Sequence, residues 1–190
     1  MRYRMTEARA LSLVKMKFAY KPELLEHTLL VKEKAEEIAR KMIKKGIKVD
    51  LELVKVGALV HDIGRSLTQD VKHGVAGGRI LRDLGHPELA GFAENHIGGG
   101  IPKNEAKKLG LPPRDYLPQT LEEKIVAYAD KFVEGYFKFS SDDEENVLWK
   151  NVKFDTITPT IKKFERKLGK QHPAIKRLKN LQKEIESLIK

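Results

Sequence analysis

An all-α bundle is the fold class this 190-residue sequence predicts, on three observations. Apolar residues recur at helical spacing through nearly the whole chain, helix start and stop residues punctuate those stripes, and no stretch shows convincing strand alternation. At this length one domain over residues 1–190 with a sizeable core is expected. Thr6 can cap a first helix running towards Tyr20, with Leu11, Val14 and Phe18 on one side. Pro22 suits a first helical position, and Leu24, Thr28, Val31, Ala35, Ile38 and Met42 trace a stripe up to the stop at Gly46. Asp50 opens a third helix, whose stripe of Leu53, Val56, Gly57 and Val60 carries His61 to its end before Gly64. Residues 74 to 84 form a helix in which Gly74, Gly77 and Gly78 let another backbone approach closely, at a cost in intrinsic propensity.

Pro87 starts a short helix that delivers His96, and Gly98-Gly99-Gly100-Ile101-Pro102 reads as a loop, either one that merely turns the chain or a flexible lip over the site. The prolines at 112, 113 and 118 mark a second irregular connection. Thr120 followed by Glu123 resembles a capping box opening a helix through Val133, with Ile125, Val126, Ala129 and Val133 inward. Ser140-Ser141-Asp142-Asp143-Glu144-Glu145 reads as a polar loop or helix start. Two amphipathic stretches follow, one with Ile157, Ile161, Phe164 and Leu168, the other with Ile175, Leu178, Leu181, Ile185 and Leu188, and both are expected to pack back onto the bundle.

Composition excludes several classes. Apolar residues at 41% and charged residues at 34% describe a globular chain rather than a disordered one. No apolar run approaches the roughly 18 residues of a membrane span. The segment MRYRMTEARALSLVKMKFAY mixes charges into its apolar pattern, unlike a signal-peptide core, so a cytoplasmic location is expected. The absence of cysteine excludes disulfide frameworks, thiolate metal sites and cysteine nucleophiles. Lys and Arg number 37 against 27 Asp and Glu, a net charge of +10. Residues 150–190 hold 12 of the basic residues and 4 of the acidic ones, so a basic helical extension is expected there. It would steer a phosphorylated ligand or contact RNA, and under an RNA-contacting reading removal of residues 150–190 would abolish RNA contact while leaving metal content intact.

Six histidines punctuate the chain. His86 and His172 each precede proline and read as capping or surface residues. His27 lies one turn from both Leu24 and Val31, at the interior edge of its helix. His61 and Asp62 end an apolar helix, and adjacent helical positions diverge by about 100 degrees, so one pocket rarely welcomes both as passive residues. A metal at the helix end uses both. Imidazole and carboxylate are the ligands expected for borderline or hard divalent ions when thiolates are absent. Asp130 shares the side of Val126 and Val133, where an unpaired carboxylate is costly and a cation removes the penalty. Taken singly, each has an ordinary alternative: a hydrogen-bonded core histidine, or an Asp130 paired with Arg79 or a lysine.

The ordered set LLEHTLLV at His27, GALVHDIGRS at His61 and Asp62, HGVAGGRIL at His73, FAENHIGGG at His96 and EKIVAYADKF at Asp130 resembles the HD superfamily of metal-dependent phosphohydrolases over about residues 20 to 135. Within it, the Glu-Asp pair that follows the doublet in alarmone pyrophosphohydrolases is replaced by Ile63-Gly64-Arg65-Ser66, and Asn95-His96 stands where GYP-type phosphodiesterases have paired histidines. The spacing is more similar to diadenosine tetraphosphate hydrolases and, most of all, to an uncharacterised archaeal group.

The resemblance implies an HD-domain helical bundle with a metal-binding core at 20–135, on which the C-terminal helices pack. It implies one or two divalent ions (Mn, Fe, Co, Ni, Zn or Mg): one held by His27, His61, Asp62 and Asp130, the other by His73 and His96 with Asp62 bridging. The implied reaction is hydrolysis, by metal-activated water, of a phosphoester or phosphoanhydride in a small nucleotide-like metabolite. Arg65, Lys131, Lys103 and Arg114 are candidate phosphate contacts, Arg through a fork and Lys as a point charge. The alternative is a metal-containing nucleotide-sensing or RNA-contacting module without turnover. No membrane partner is expected, and the apolar stripes of the terminal helices would serve a homodimer as well as packing within one chain.

Overall fold

The computed structural model describes residues 4–139 and 147–190, with side chains described outside 136–149. The polar stretch at 140–145 lies outside the described residues. Helices α1 (Glu7–Lys17), α2 (Pro22–Lys44) and α3 (Leu51–Val60) lead into a tight turn at Ile63–Ser66. Helices α4 (His73–Asp83), α5 (Ala90–Asn95), α6 (Lys103–Lys108) and α7 (Leu121–Ala129) follow, then a hairpin of β1 (Val133–Phe139) and β2 (Val147–Lys153), and finally α8 (Thr158–Leu168) and α9 (Pro173–Ile189).

The three expected caps are in place: Thr6 accepts from the Arg9 amide at 3.3 Å, Asp50 from Leu53 at 2.9 Å and Thr120 from Glu123 at 3.1 Å. His172 caps α9, its Nδ1 accepting from the Ala174 amide at 3.3 Å. Helix α1 stops at Lys17, short of Tyr20, because Pro22 disfavours a helical conformation for Lys21.

Two expectations are corrected. The helix opened by Thr120 ends at Ala129 rather than at Val133; Asp130–Phe132 form a single tight turn and Val133 begins β1. That strand pairs antiparallel with β2, Val133 opposite Lys153, so the chain is a helical bundle carrying one hairpin. The stretches VEGYFKF and VLWKNVK are rich in the β-branched and aromatic residues that favour a pleated ladder, which outweighed the helical reading at Val133. The glycine run is also no flexible lip. It is clamped by α9, where the Arg177 Nε donates to the Gly100 carbonyl at 3.0 Å and a Cβ on Gly99 would strike the Leu178 amide.

The core draws on Val31, Ala35 and Ile38 of α2, Val54 to Val60 of α3, Ile125 and Val126 of α7, and Ile175, Leu178, Leu181 and Ile185 of α9. Glycines set the spacing beneath the doublet. A Cβ on Gly64 would collide with the His73 carbonyl oxygen and the Gly77 amide nitrogen, both backbone atoms that cannot rotate away. Gly64→Ala is therefore expected to destabilise the protein by at least the roughly 1–3 kcal/mol of an overpacked core and to lower metal content, since the strain falls between Asp62 and His73. Wild-type denaturation midpoint and metal stoichiometry in the variant would contradict this.

Candidate metal centre

Five of the six candidate ligands stand at helix ends. His61 directly follows α3 as its C-cap and Asp62 comes next; His73 opens α4; His96 directly follows α5; Asp130 directly follows α7. Only His27 comes from within a helix, between the buried Leu24 and Thr28 positions of α2. Ends that converge bring ligand atoms together without threading side chains through the core.

Asp62 sits at the centre and presents its two oxygens to different histidines. Its Oδ2 is 3.7 Å from His27 Nε2 and 3.8 Å from His61 Nε2, while its Oδ1 is 3.2 Å from His73 Nε2 and 3.3 Å from His96 Nε2. Asp130 Oδ1 lies on the first side, 3.1 Å from His27 Nε2 and 3.6 Å from His61 Nε2. The expected ligands thus come together, divided between the two faces of one carboxylate.

The hydrogen bonds of the imidazoles favour a cation. His61 Nδ1 lies 2.6 Å from the Ala58 carbonyl, His73 Nδ1 2.6 Å from the Asp70 carbonyl and His96 Nδ1 2.8 Å from the Ala93 carbonyl. A carbonyl only accepts, so each ring carries its proton on Nδ1 and turns an Nε2 lone pair inward. His73 Nε2 and His96 Nε2 are then two acceptors only 3.2 Å apart, and His61 Nε2 and Asp62 Oδ1 are buried with no hydrogen-bond partner among the described residues. Such groups are costly unless a positive charge sits among them. His61, Asp62 and His96, and separately His27, His61 and Asp130, offer ligand atoms within 4.8 Å of one another, so the donor set fits a divalent ion.

Electrostatics agree. Burial alone would raise the Asp62 carboxyl, but the Arg65 guanidinium and the surrounding imidazoles hold it well below the usual range. Asp130 behaves alike, with burial outweighed by Lys131, His27 and His61. Burial pushes His96 down to about 4, so it is neutral and able to ligate at pH 7. Burial also opposes charge on His61, yet the Asp62 and Asp130 carboxylates overcome it and raise that imidazole above 6.5.

These two shifts have opposite signs in stability. Between pH 6.5 and about 4 the unfolded chain binds a proton at His96 that the folded chain refuses, so stability is lost as pH falls through that window. For His61 the contribution is fully present below pH 6.5 and is lost as pH rises through its raised folded-state value. In chelator, the contribution of this pair is expected to peak near pH 6.5. Denaturant midpoints from pH 4 to pH 8 check it; a peak that survives replacing both imidazoles would contradict it.

The centre opens into a cavity of about 260 Å³ with His27, Asp62, His73, His96 and Asp130 among its lining residues. Arg65 and Lys131 also line it. The Arg65 Nε donates to Asp62 Oδ2 at 2.7 Å. Lys131 is buried, its ammonium paired with the Asp130 carboxylate and donating to the His96 carbonyl at 3.2 Å. Asp130 therefore pairs with its neighbour rather than with Arg79, which lies 3.7 Å from Asp83 on the exposed face of α4.

The other two expected phosphate contacts lie elsewhere. Arg114 pairs with the buried Glu94 at 2.5 Å and covers the Tyr116 ring, and Lys103 at the start of α6 has its amide bonded to Asp115; neither lines the cavity. Glu94, doubly bonded by Arg82 at 2.9 and 2.6 Å, drew Arg114 away from the site. Sequence reasoning foresaw the amphipathic stretch of α8 but missed its place in the site: it supplies Thr160, Lys163 and Phe164 to the cavity wall. The signal was faint: Thr160 is a polar residue on the apolar side of its helix, and its hydroxyl donates to the Lys131 carbonyl at 2.7 Å.

Among known proteins, residues 24–134 match the HD domain family. An uncharacterised protein of Methanocaldococcus jannaschii is 51% identical over 168 residues, 88% of this chain and 90% of that protein. A tRNA (cytidine(56)-2'-O)-methyltransferase of Thermoplasma volcanium is 45% identical over 120 residues, which are 63% of this chain and 34% of the methyltransferase. The solved HD domain of the L. monocytogenes phosphodiesterase PgpH aligns over 94% of this chain and 96% of that one, at 21% identity and a TM-score of 0.49.

Proposed function

Since the chain belongs to the HD superfamily of metal-dependent phosphohydrolases, we propose that it hydrolyses a phosphoester or phosphoanhydride of a small nucleotide-like metabolite. The carrying observation is Asp62, buried between two sets of inward-facing imidazole nitrogens. His27, His61, Asp62 and Asp130 would hold one divalent ion, and His73 and His96 a second shared through Asp62. Divalent ions in such a site lower the pKa of bound water and offset charge developing on phosphoryl oxygens.

The chain's own residues do the rest. The Nδ1–carbonyl bonds fix the imidazole orientations before any ligand arrives. Arg65 commits its Nε–H to Asp62, and the two amino groups of its fork are the donors for a phosphate in the cavity. Lys131 positions Asp130 and brings a positive charge to the cavity wall. Neither cysteine nor any other protein nucleophile is required.

The test is phosphate release from nucleotides and a generic aryl phosphate by the full-length protein, loaded in turn with Mn, Fe, Co, Ni, Zn or Mg and checked by elemental analysis. Turnover that follows metal content is expected. A folded, metal-loaded protein that releases phosphate from none of them would overturn the proposal.

One observation favours a second reading, a module that contacts RNA. Lys162, Arg166 and Lys167 are exposed on α8, and the T. volcanium relative is a tRNA-modifying enzyme, although the match spans only a third of it and brings no methyl-transfer chemistry to this chain. Under this reading, charge reversal at these three residues would abolish RNA retention by the full-length protein; undiminished retention would remove it.

A further inference from the structure

The six candidate ligands, Arg65 and Lys131 all fall inside the span that matches the family, 24–134, but the cavity does not. Gly135, Thr160, Lys163 and Phe164 complete its wall from outside that span. The floor thus falls within the family match, and the outer wall lies beyond it.

That wall is chemically unlike the floor. Phe164 is half-buried, with one side against the main core and the other on the cavity. Its Cε1 lies 4.0 Å from where a Cβ on Gly98 would stand, so the ring rests beside bare backbone at a glycine with φ +61°. Ile97 extends the same apolar surface. Helix α8 is tied to the floor at two points: the Thr160 hydroxyl on the Lys131 carbonyl, and the Lys163 ammonium 3.0 Å from Glu134. The ring is therefore held in fixed register with Asp130, the neighbour of Lys131.

We propose that α8 is the selectivity wall of the site and that Phe164 stacks on the planar base of a nucleotide whose phosphate occupies the floor, an inference that rests on the phosphohydrolase reading. A volume of about 260 Å³ suits one nucleoside unit better than two, because pockets that enclose a whole drug-sized ligand run to roughly 300–1,000 Å³. Aromatic surface at the wall and cations at the floor match the two ends of a mononucleotide. A sugar phosphate without a base satisfies only the floor.

The experiment measures binding of AMP and of ribose 5-phosphate to the full-length, Mn-loaded protein by calorimetry, for the wild type and for Phe164→Ala and Phe164→Trp, with metal content determined for each. The wild type is expected to prefer AMP. Phe164→Ala is expected to lower the ratio of the two affinities by roughly 5- to 150-fold, the range of base–aromatic stacking, and Phe164→Trp to restore it. A wild type without preference for AMP, or a ratio that Phe164→Ala leaves unchanged, overturns the proposal. Failure of the hydrolase reading looks different: AMP is retained with the expected preference, but no phosphate is released.

Discussion

Asp62→Ala is expected to empty the centre and to lower phosphate release by at least about 10³-fold, corresponding to several kcal/mol of transition-state charge stabilisation. The single carboxylate faces four imidazole nitrogens between 3.2 and 3.8 Å and also anchors the Arg65 guanidinium at 2.7 Å. On the proposed assignment, its removal would strip both ion positions of the ligand they share and leave Arg65 without its partner. Asp62→Asn separates charge from shape, because the amide fills the same space. If the carboxylate acts as a ligand, Asn loses metal and activity as Ala does while keeping the wild-type fold by circular dichroism. An Asn variant that keeps stoichiometric metal and turnover would refute the assignment.

Deleting residues 158–190 is expected to abolish cooperative folding rather than to release an RNA-binding arm. Ile161, Ile175, Leu178, Leu181 and Ile185 are buried, together with Ile157 just before the cut. Six such side chains at about 1.5–3 kcal/mol each represent roughly 9–18 kcal/mol, an upper estimate, against a typical total stability of about 5–15 kcal/mol. The cut also removes the Arg177 clamp on Gly100 and Glu105 and the Thr160 bond to Lys131. A truncated protein that unfolds cooperatively and retains metal would show that the segment is the separable arm its charge suggested.

The C-terminal segment shows where sequence is informative. The stripe of Ile175, Leu178, Leu181 and Ile185 predicted packing onto the bundle correctly, because periodicity reports directly on a helix's buried face. The surplus of lysines reports only on the opposite, solvated face and says nothing about separability. The caps at Thr6, Asp50 and Thr120 were legible because the bonds that define them span three residues. Helix α6, KNEAKK, has one buried residue, Ala106, and so left no stripe to read. The hairpin depends on pairing between two distant segments, and Val133 suited either a helix or a strand until Lys153 lay opposite it. In the site, the ligands were legible by order and by residue type at helix ends. The places of Arg114, Lys103 and Phe164 were not, since a buried Glu94 and a helix 30 residues further on decide them.

The bonds from His61, His73 and His96 to Ala58, Asp70 and Ala93 end on peptide oxygens. A point mutation can delete a carboxylate that aims a histidine, but it cannot delete a main-chain oxygen. Such rings draw electron density from the scaffold itself, so the appetite of the centre for cations is insulated from drift at neighbouring side chains and is surrendered only when the local helix ends are redrawn.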